Sequence, residues 1–114
     1  MAKTPYLLQT GMGVDLHGGD DTTAACRAVT HAIHHNSLLF LREVGLHSAG
    51  QVHVDVTIAC PHPEQVDTEA VAAALPVGVV SVEAQSGGML AATGTEGDDA
   101  LIAIAAVRVS VSQS

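Results

Sequence analysis

The sequence predicts a single α+β domain over residues 1–114, in which two helices cover one face of a four-stranded sheet in the order β-α-β-α-β-β. Polar and apolar residues alternate in one segment of the chain, as they do in a strand that has one buried face. Segments with the spacing of amphipathic helices separate the segments that resemble strands. The chain has 114 residues and no repeat or low-complexity linker, which is typical of one domain.

The first part of the chain contributes one strand and one helix. Pro5–Gly11 predicts the strand, because its apolar residues are followed by glycines. The helix is predicted to begin at Asp20 or Asp21, whose carboxylates can accept hydrogen bonds from free amides, and to end near Asn36. Its apolar residues share one face, as in a helix that packs on a sheet: Ala25, Val29, Ala32 and Ile33.

The second part of the chain contributes three strands and a short helix. Gln51–Cys60 alternates between apolar and polar residues, which predicts a half-buried strand. A helix follows, with Asp67 as its cap and Pro76 after its last turn. Gly78–Gly88 predicts the third strand, which ends in two glycines, and Ala100–Ser112 predicts a long fourth strand.

The pattern of apolar residues predicts a homo-oligomer, either a trimer or a multiple of one. The fourth strand is apolar on both sides over much of its length, which is typical of a strand that is buried on both faces. Tyr6 and Phe40 are the only aromatic residues, so burial between subunits would add to a core of small side chains. Leu38–Gly45 is interpreted as a further short strand or as an extension that packs on a neighbouring subunit.

Charge and hydropathy exclude several classes of partner. The formal net charge is −8 with only four Lys and Arg residues, so no surface can supply the basic patch that nucleic acids or anionic membranes require. The longest apolar run, Ala100–Val107, is far shorter than the roughly 20 residues of a membrane helix. Cys26 and Cys60 are too few and too far apart for a disulfide framework. We therefore expect a cytoplasmic protein.

The segment QTGMGVDLHGGDDTT, Gln9–Thr23, contains the strongest candidate site. It lacks the third glycine of a dinucleotide-binding loop and the Gly-Lys-Ser/Thr of a P-loop. Asp15 and His17 are two residues apart, so in an extended segment both side chains point to one side and could hold a divalent ion, zinc or manganese. The backbone around such an ion or a bound ligand is predicted to turn at the nearby glycines, Gly11, Gly13 and Gly18.

A metal site here would need at least one more ligand, because zinc usually takes three side chains from a protein. The candidates are histidines of the first helix and of a later loop: His31, His34, His35 and His62. In the alternative interpretation, Asp15 caps a turn and His17 is an exposed loop histidine.

A second candidate ligand site is the sequence Ser86, Gly87 and Gly88 after the third strand. A serine at a strand end could be a nucleophile, but nothing in the spacing of the histidines selects a base for it. The alternative interpretation is a flexible glycine turn at the end of a strand.

Thr10–Gly18 resembles the G-x-G-x-D-x-H-G signature of a small family of uncharacterised bacterial proteins, which is also found with a long prefix in plants. The loop Pro61–Val66 matches the family pattern P-x-P-E-x-V, and the pair Gly87–Gly88 matches its glycine turn. The resemblance therefore covers most of the chain, but it implies no particular activity.

Two characterised groups are similar in shorter stretches. The G-x-G-x-D-x-H part of the signature above is similar to the opening of methylerythritol cyclodiphosphate synthase, a trimeric enzyme. This resemblance implies zinc at Asp15 and His17. The Ser-Gly-Gly at Ser86 is similar to the turns of cyanuric acid hydrolase and barbiturase, which are ring-opening amidohydrolases. No lysine of this chain matches the base of that group.

Two functions remain open at this point. In the first, chorismate-mutase-like subunits form an oligomer that binds a small polar molecule at subunit interfaces. With a divalent metal on Asp15 and His17, such a protein would catalyse hydrolysis or elimination, and His17 or His35 would carry the proton. In the second, the chain is a non-catalytic binding or assembly module whose glycine-rich segment lies at an oligomer interface.

Overall fold

The computed structural model describes residues 3–17, 19–34, 52–75 and 78–112. Its elements in chain order are β1 (Lys3–Asp15), α1 (Asp21–His34), β2 (Val52–Cys60), a 3-10 helix (Pro63–Gln65), α2 (Thr68–Ala73), β3 (Val79–Ser86), β4 (Met89–Ala91) and β5 (Ala100–Ser112). The segment Leu38–Gly45 and the predicted helix end near Asn36 lie outside the described residues.

The strands form one mixed sheet with the order β1-β5-β2-β3, and β4 pairs with the beginning of β5. β1 and β2 both run antiparallel to β5, and β3 runs parallel to β2. Within the described ranges the α+β class with two α-helices is confirmed, but the sheet has five strands where four were predicted. The additional strand is Met89–Ala91, and its 3 residues are too few to show a period in the sequence.

The two helices and the strands share one hydrophobic core. α1 packs on β1 and β5, and α2 packs on β3 and on α1. The side chains that α1 places in the core are mostly small: Ala24, Ala25, Ala28, Val29, Ala32 and Ile33. The two central strands contribute alternate residues to it: Val52, Val54, Val56, Ile58, Cys60, Leu101, Ala103, Ala105, Val107 and Val109.

Gly11 and Gly13 let α1 lie directly against β1. A Cβ atom on Gly11 would be 2.3 Å from the backbone nitrogen of Ala32. A Cβ atom on Gly13 would be 2.1 Å from the carbonyl oxygen of Ala24. Both distances are far below van der Waals contact, so any side chain would push the helix away from the strand.

Aspartates cap both helices. The carboxylate of Asp20 accepts hydrogen bonds from the N–H of Thr22 at 3.0 Å and from the hydroxyl of Thr23 at 2.9 Å. Asp67 accepts from two amides in the first turn of α2, at 3.1 and 3.2 Å. The sequence leaves Asp20 and Asp21 as alternative caps, and the structure selects Asp20 and turns Asp21 into the core.

The second face of the sheet is not covered by any element in the described part of the chain. Apolar side chains on this face have exposed fractions between 46% and 65%: Leu8, Met12, Met89 and Ile104. Met12 and Ile104 are register partners on neighbouring strands, so these side chains adjoin one another. β5 is therefore buried on one face only within the described subunit.

α1 is the longer of the two described helices and has 14 residues. No helix in the described ranges has the length and the apolar character that crossing a bilayer requires.

Candidate functional site

The carboxyl ends of β1, β2 and β3 lie at one edge of the sheet, because these strands run in the same direction. Ligands of open α/β sheets commonly bind outside the carboxyl ends of the strands. Asp15 ends β1 and Ser86 ends β3, so both candidate sites from the sequence are at this edge. β5 and β2 lie between them, and three strand spacings are roughly 14 Å. The two candidates therefore do not form a single site.

Asp15 fixes the end of β1 to the beginning of α1. Its carboxylate is mostly buried, and Oδ2 accepts a hydrogen bond from the N–H of Asp20 at 2.9 Å. Its Oδ1 lies 3.8 Å from Nη1 of Arg27, and the same nitrogen donates to the carbonyl oxygen of Val14 at 2.6 Å. The carboxylate therefore closes the turn that leads into α1 and faces a guanidinium group.

His17 lies beyond the end of β1, and its side chain is 79% exposed. Its Nδ1 is 3.0 Å from Oδ2 of Asp98, which comes just before β5. A pocket of about 500 Å³ opens here, lined by Val14, Asp15, Leu16, His17 and Arg27. Arg27 and Asp98 are missing from the predicted site because no local spacing connects them to Asp15 and His17.

The donors in this pocket do not complete a metal site by themselves. Among residues 3–17, 19–34, 52–75 and 78–112, no three His, Cys, Asp or Glu side chains converge as metal ligands do. The guanidinium of Arg27 lies next to the Asp15 carboxylate, and its positive charge opposes binding of a cation. Zinc or manganese on Asp15 and His17 would therefore need a further ligand.

The histidines considered for that ligand lie elsewhere or are otherwise held. His31 accepts a hydrogen bond from a backbone amide of β1 at 2.9 Å. It lies ten residues after the first residue of α1, which is roughly 15 Å along the helix. His34 is the last residue of α1. His62 is bonded to a different carboxylate. His35 lies outside the described residues.

Three of the glycines that were predicted to bind a ligand pack closely against neighbouring backbone: Gly11, Gly13 and Gly88. Gly11 and Gly13 face α1 and do not line the pocket. The second residue of Gly87–Gly88 has a φ of 62°, and a Cβ on it would be 2.1 Å from the carbonyl oxygen of Ile102. Only glycine fits this turn between β3 and β4. Gly18 lies outside the described residues, and ligand binding by these glycines stays a prediction.

A buried carboxylate at the same edge joins α1 to the chain that follows β2. The Asp21 side chain is fully buried, and its Oδ2 accepts a hydrogen bond from the backbone N–H of His62 at 2.8 Å. Its Oδ1 lies 3.0 Å from Nδ1 of the same histidine. The Cys60 thiol lies close enough to this carboxylate for the carboxylate to raise its pKa. The sequence does not predict this cluster, because 41 residues separate Asp21 from His62.

Burial and the neighbouring Asp21 carboxylate raise the pKa of the Cys60 thiol from 9.0 to about 11. Both effects disfavour the thiolate, burial by removing water and the carboxylate by charge repulsion. Cys60 is therefore protonated at neutral pH and is not a reactive cysteine.

We expect the free energy of unfolding to fall as the pH rises from 9 towards 11, because Cys60 ionises near 9.0 when unfolded and near 11 when folded. Cys60→Ala removes this ionisation, so its stability should fall less steeply over the same range. Urea unfolding at several pH values, followed by circular dichroism, measures both slopes. Parallel curves for the two proteins would show that the thiol does not carry this pH dependence.

The fold and this edge of the sheet can be compared with known proteins. A family described as conserved hypothetical protein (Lin0512_fam) matches residues 5–109. The crystal structure of an FtsZ-like protein of unknown function from Nostoc punctiforme PCC 73102 is similar over 99% of both chains, with 41% sequence identity and a TM-score of 0.84. No curated protein sequence is significantly similar to the chain.

The match confirms the prediction of an uncharacterised family. The similarities to methylerythritol cyclodiphosphate synthase and to ring-opening amidohydrolases stay predictions. The chain belongs to the Lin0512 family of conserved hypothetical proteins.

Proposed function

We propose that the protein binds a small polar molecule in the pocket at the end of β1. The observation that supports this is a pocket of about 500 Å³, within the size range of small-molecule sites, that contains charged groups of both signs. One guanidinium nitrogen of Arg27 donates a hydrogen bond to the carbonyl oxygen of Val14. The other N–H groups of the guanidinium can donate to a ligand. The exposed His17 ring can donate or accept. A small molecule with a carboxylate or carbonyl beside a donor group would suit this combination.

We further propose that the protein is a cytoplasmic homo-oligomer that self-associates through the uncovered face of its sheet. Contiguous exposed apolar side chains such as Met12 and Ile104 commonly mark interaction surfaces. In the trimeric, chorismate-mutase-like form of this proposal, the sheets of the subunits pack against one another in a ring. A central β5 that is apolar on both sides would then be covered on both sides.

A metal-assisted hydrolase or lyase is a more specific form of the proposal. Its support is that Asp15 and His17 line the same pocket. Bound zinc or manganese would supply a Lewis acid, and a third ligand would have to come from another subunit or from a residue such as His35. His17 or His35 would move the proton.

The rival proposal is a non-catalytic assembly module. Its support is the exposed apolar face, together with the description of the 41% identical Nostoc protein as FtsZ-like. The close packing of Gly11 and Gly13 against their own α1 gives no support to a partner contact at those two glycines.

Thermal-shift measurements can separate these proposals. The panel contains small carboxylates, amides and amino acids, and also zinc chloride and manganese chloride. We expect at least one organic compound to raise the melting temperature of the wild type, because a ligand that binds only the folded state stabilises it. The shift should be lost in Arg27→Ala and kept in His34→Gln, which changes an exposed residue at the far end of α1.

A shift by zinc or manganese that disappears in Asp15→Asn and in His17→Ala would support the metal-dependent form. If no organic compound and neither metal shifts the wild type, ligand binding in this pocket is wrong and the assembly module is favoured.

A further inference from the structure

His62 is held in one orientation by a buried carboxylate. Asp21 accepts a hydrogen bond from the His62 backbone at 2.8 Å, and its other oxygen lies 3.0 Å from Nδ1 of the ring. The Asp21 side chain has 0% exposure, whereas the His62 side chain has 41%. The pair therefore has an anchored side in the core and an open side towards solvent.

The open side of the ring carries Nε2. Asp21 accepts as a carboxylate, so Nδ1 carries the ring proton and Nε2 carries the lone pair. No residue within the described ranges forms a hydrogen bond with this Nε2. The hydrogen bond from the His62 backbone to Asp21 is sufficient to anchor the chain after β2. The second hydrogen bond, between Asp21 and the imidazole ring, also selects the tautomer of His62. This arrangement suits a histidine that accepts a proton through Nε2.

Ser86 lies at the same edge, one strand away. It is the register partner of Cys60 in the parallel pair of β2 and β3, so both side chains point to the helix-covered face. The Cys60 side chain lies near the Asp21 carboxylate on that face, and the same carboxylate holds His62. The N–H of Gly87 donates to the carbonyl oxygen of Cys60 at 3.0 Å and fixes the chain just after the serine.

The Ser86 side chain is exposed, and no hydrogen bond engages its hydroxyl in the described structure. The serine and the histidine each lie next to Cys60, the histidine two residues beyond it and the serine opposite it. The fold therefore places one histidine, His62, at the same end of the sheet as this serine.

We propose that Ser86 and His62 form a catalytic pair that hydrolyses small carboxylic esters, with Asp21 as the positioning residue. The Ser86 oxygen forms a bond with the carbonyl carbon of the ester, and its proton passes to Nε2 of His62. The bond to the alcohol oxygen then breaks, and His62 returns the proton to the leaving alcohol. Water attacks the acyl-serine in the same way, which releases the carboxylic acid and restores the Ser86 hydroxyl.

The surroundings of the pair select the charge of the substrate. Glu64 lies in the 3-10 helix that follows His62, and Asp20 caps the neighbouring α1. The whole chain has a net charge of −8. Uncharged and cationic esters should therefore react faster than esters that carry a carboxylate. The pair does not use Arg27 or His17, so this proposal does not depend on the pocket at the end of β1.

Reaction with a fluorophosphonate probe, located by peptide mass spectrometry, tests the pair directly. The probe forms a bond with an activated serine oxygen and releases fluoride. We expect labelling at Ser86, no label at this position in Ser86→Ala, and a rate at least about 100-fold lower in His62→Gln. Ser81→Ala and His34→Gln should be labelled as the wild type is, since they change a β3 serine bonded to Asp55 and an exposed histidine of α1.

Hydrolysis of p-nitrophenyl acetate distinguishes positioning from a merely structural role. In Asp21→Asn the side-chain oxygen can still accept from the His62 backbone, but the amide can donate to Nδ1 and favour the wrong tautomer. We expect kcat to fall by at least about 100-fold with little change in KM.

The proposal is wrong if folded wild-type protein is not labelled at Ser86, or if His62→Gln is labelled at the same rate. Circular dichroism on each variant shows whether it is folded. Should His62→Gln fail to fold, the wild-type result at Ser86 and the comparison with Asp21→Asn still decide the outcome.

Discussion

Gly13→Val is expected to lower the free energy of unfolding by at least about 3 kcal/mol or to prevent folding. The Cβ would be 2.1 Å from the carbonyl oxygen of Ala24 and 2.3 Å from the backbone nitrogen of Ala28. Both atoms belong to the backbone of α1, so no side-chain rotation can relieve the overlap. The helix would have to move away from β1 and expose the small apolar residues between them. Urea unfolding followed by circular dichroism measures the loss.

Thr10→Val is the matched control for this substitution. Thr10 lies on the same strand, but it is exposed on the uncovered face of the sheet. Its replacement by the same side chain should change the free energy of unfolding by no more than about 0.5 kcal/mol. Equal stability of Gly13→Val and Thr10→Val would mean that α1 does not lie as close to β1 as the structure indicates.

Ile104→Asp is expected to convert the proposed oligomer into monomers. Ile104 is at the centre of the uncovered sheet face, next to its register partner Met12. If a second subunit covers this face, the substitution buries a carboxylate that has no partner. Each such buried carboxylate costs several kcal/mol, on the order of the loss from breaking a buried ion pair. Sedimentation velocity on wild type and variant measures the mass of each species.

Leu90→Asp is the control for self-association. Leu90 is similarly exposed, but it pairs with the core residue Leu101 and therefore lies on the other side of the sheet. This variant should sediment as the wild type does. A monomeric wild type would overturn the proposal of a homo-oligomer, and an oligomer that survives Ile104→Asp would place the interface on a different surface.

Regular spacing made much of the fold predictable. The alternation in Gln51–Cys60 indicates a strand with one buried face, and the structure buries every second residue of β2. Capping residues were also informative, because Asp20 and Asp67 act within a few residues of their own positions. β4 was missed because its 3 residues show no period and its pairing with β5 is a tertiary contact.

The candidate site was less predictable from the sequence. The spacing of Asp15 and His17 suggests two polar side chains at the end of a strand, and in the structure both residues line one pocket. Spacing does not reveal that Arg27 faces the same carboxylate or that Asp98 faces the same imidazole. Arg27 comes from α1, and Asp98 comes from the loop before β5. Because of these two residues, the pocket contains charged groups of both signs in addition to the two donors that the sequence predicted.

The sequence by itself determined what depends on neighbours along the chain: the α+β class, most of the strands and helices, the acidic charge and the glycine positions. Only the tertiary structure decided which distant residues meet. It turned Asp21 inward to hold His62, which is 41 residues away, and it placed Ser86 opposite Cys60. Hydrogen bonds and packing act over a few ångströms in space, whatever the separation along the chain, so the pairs that could carry chemistry appear only when the sheet is assembled.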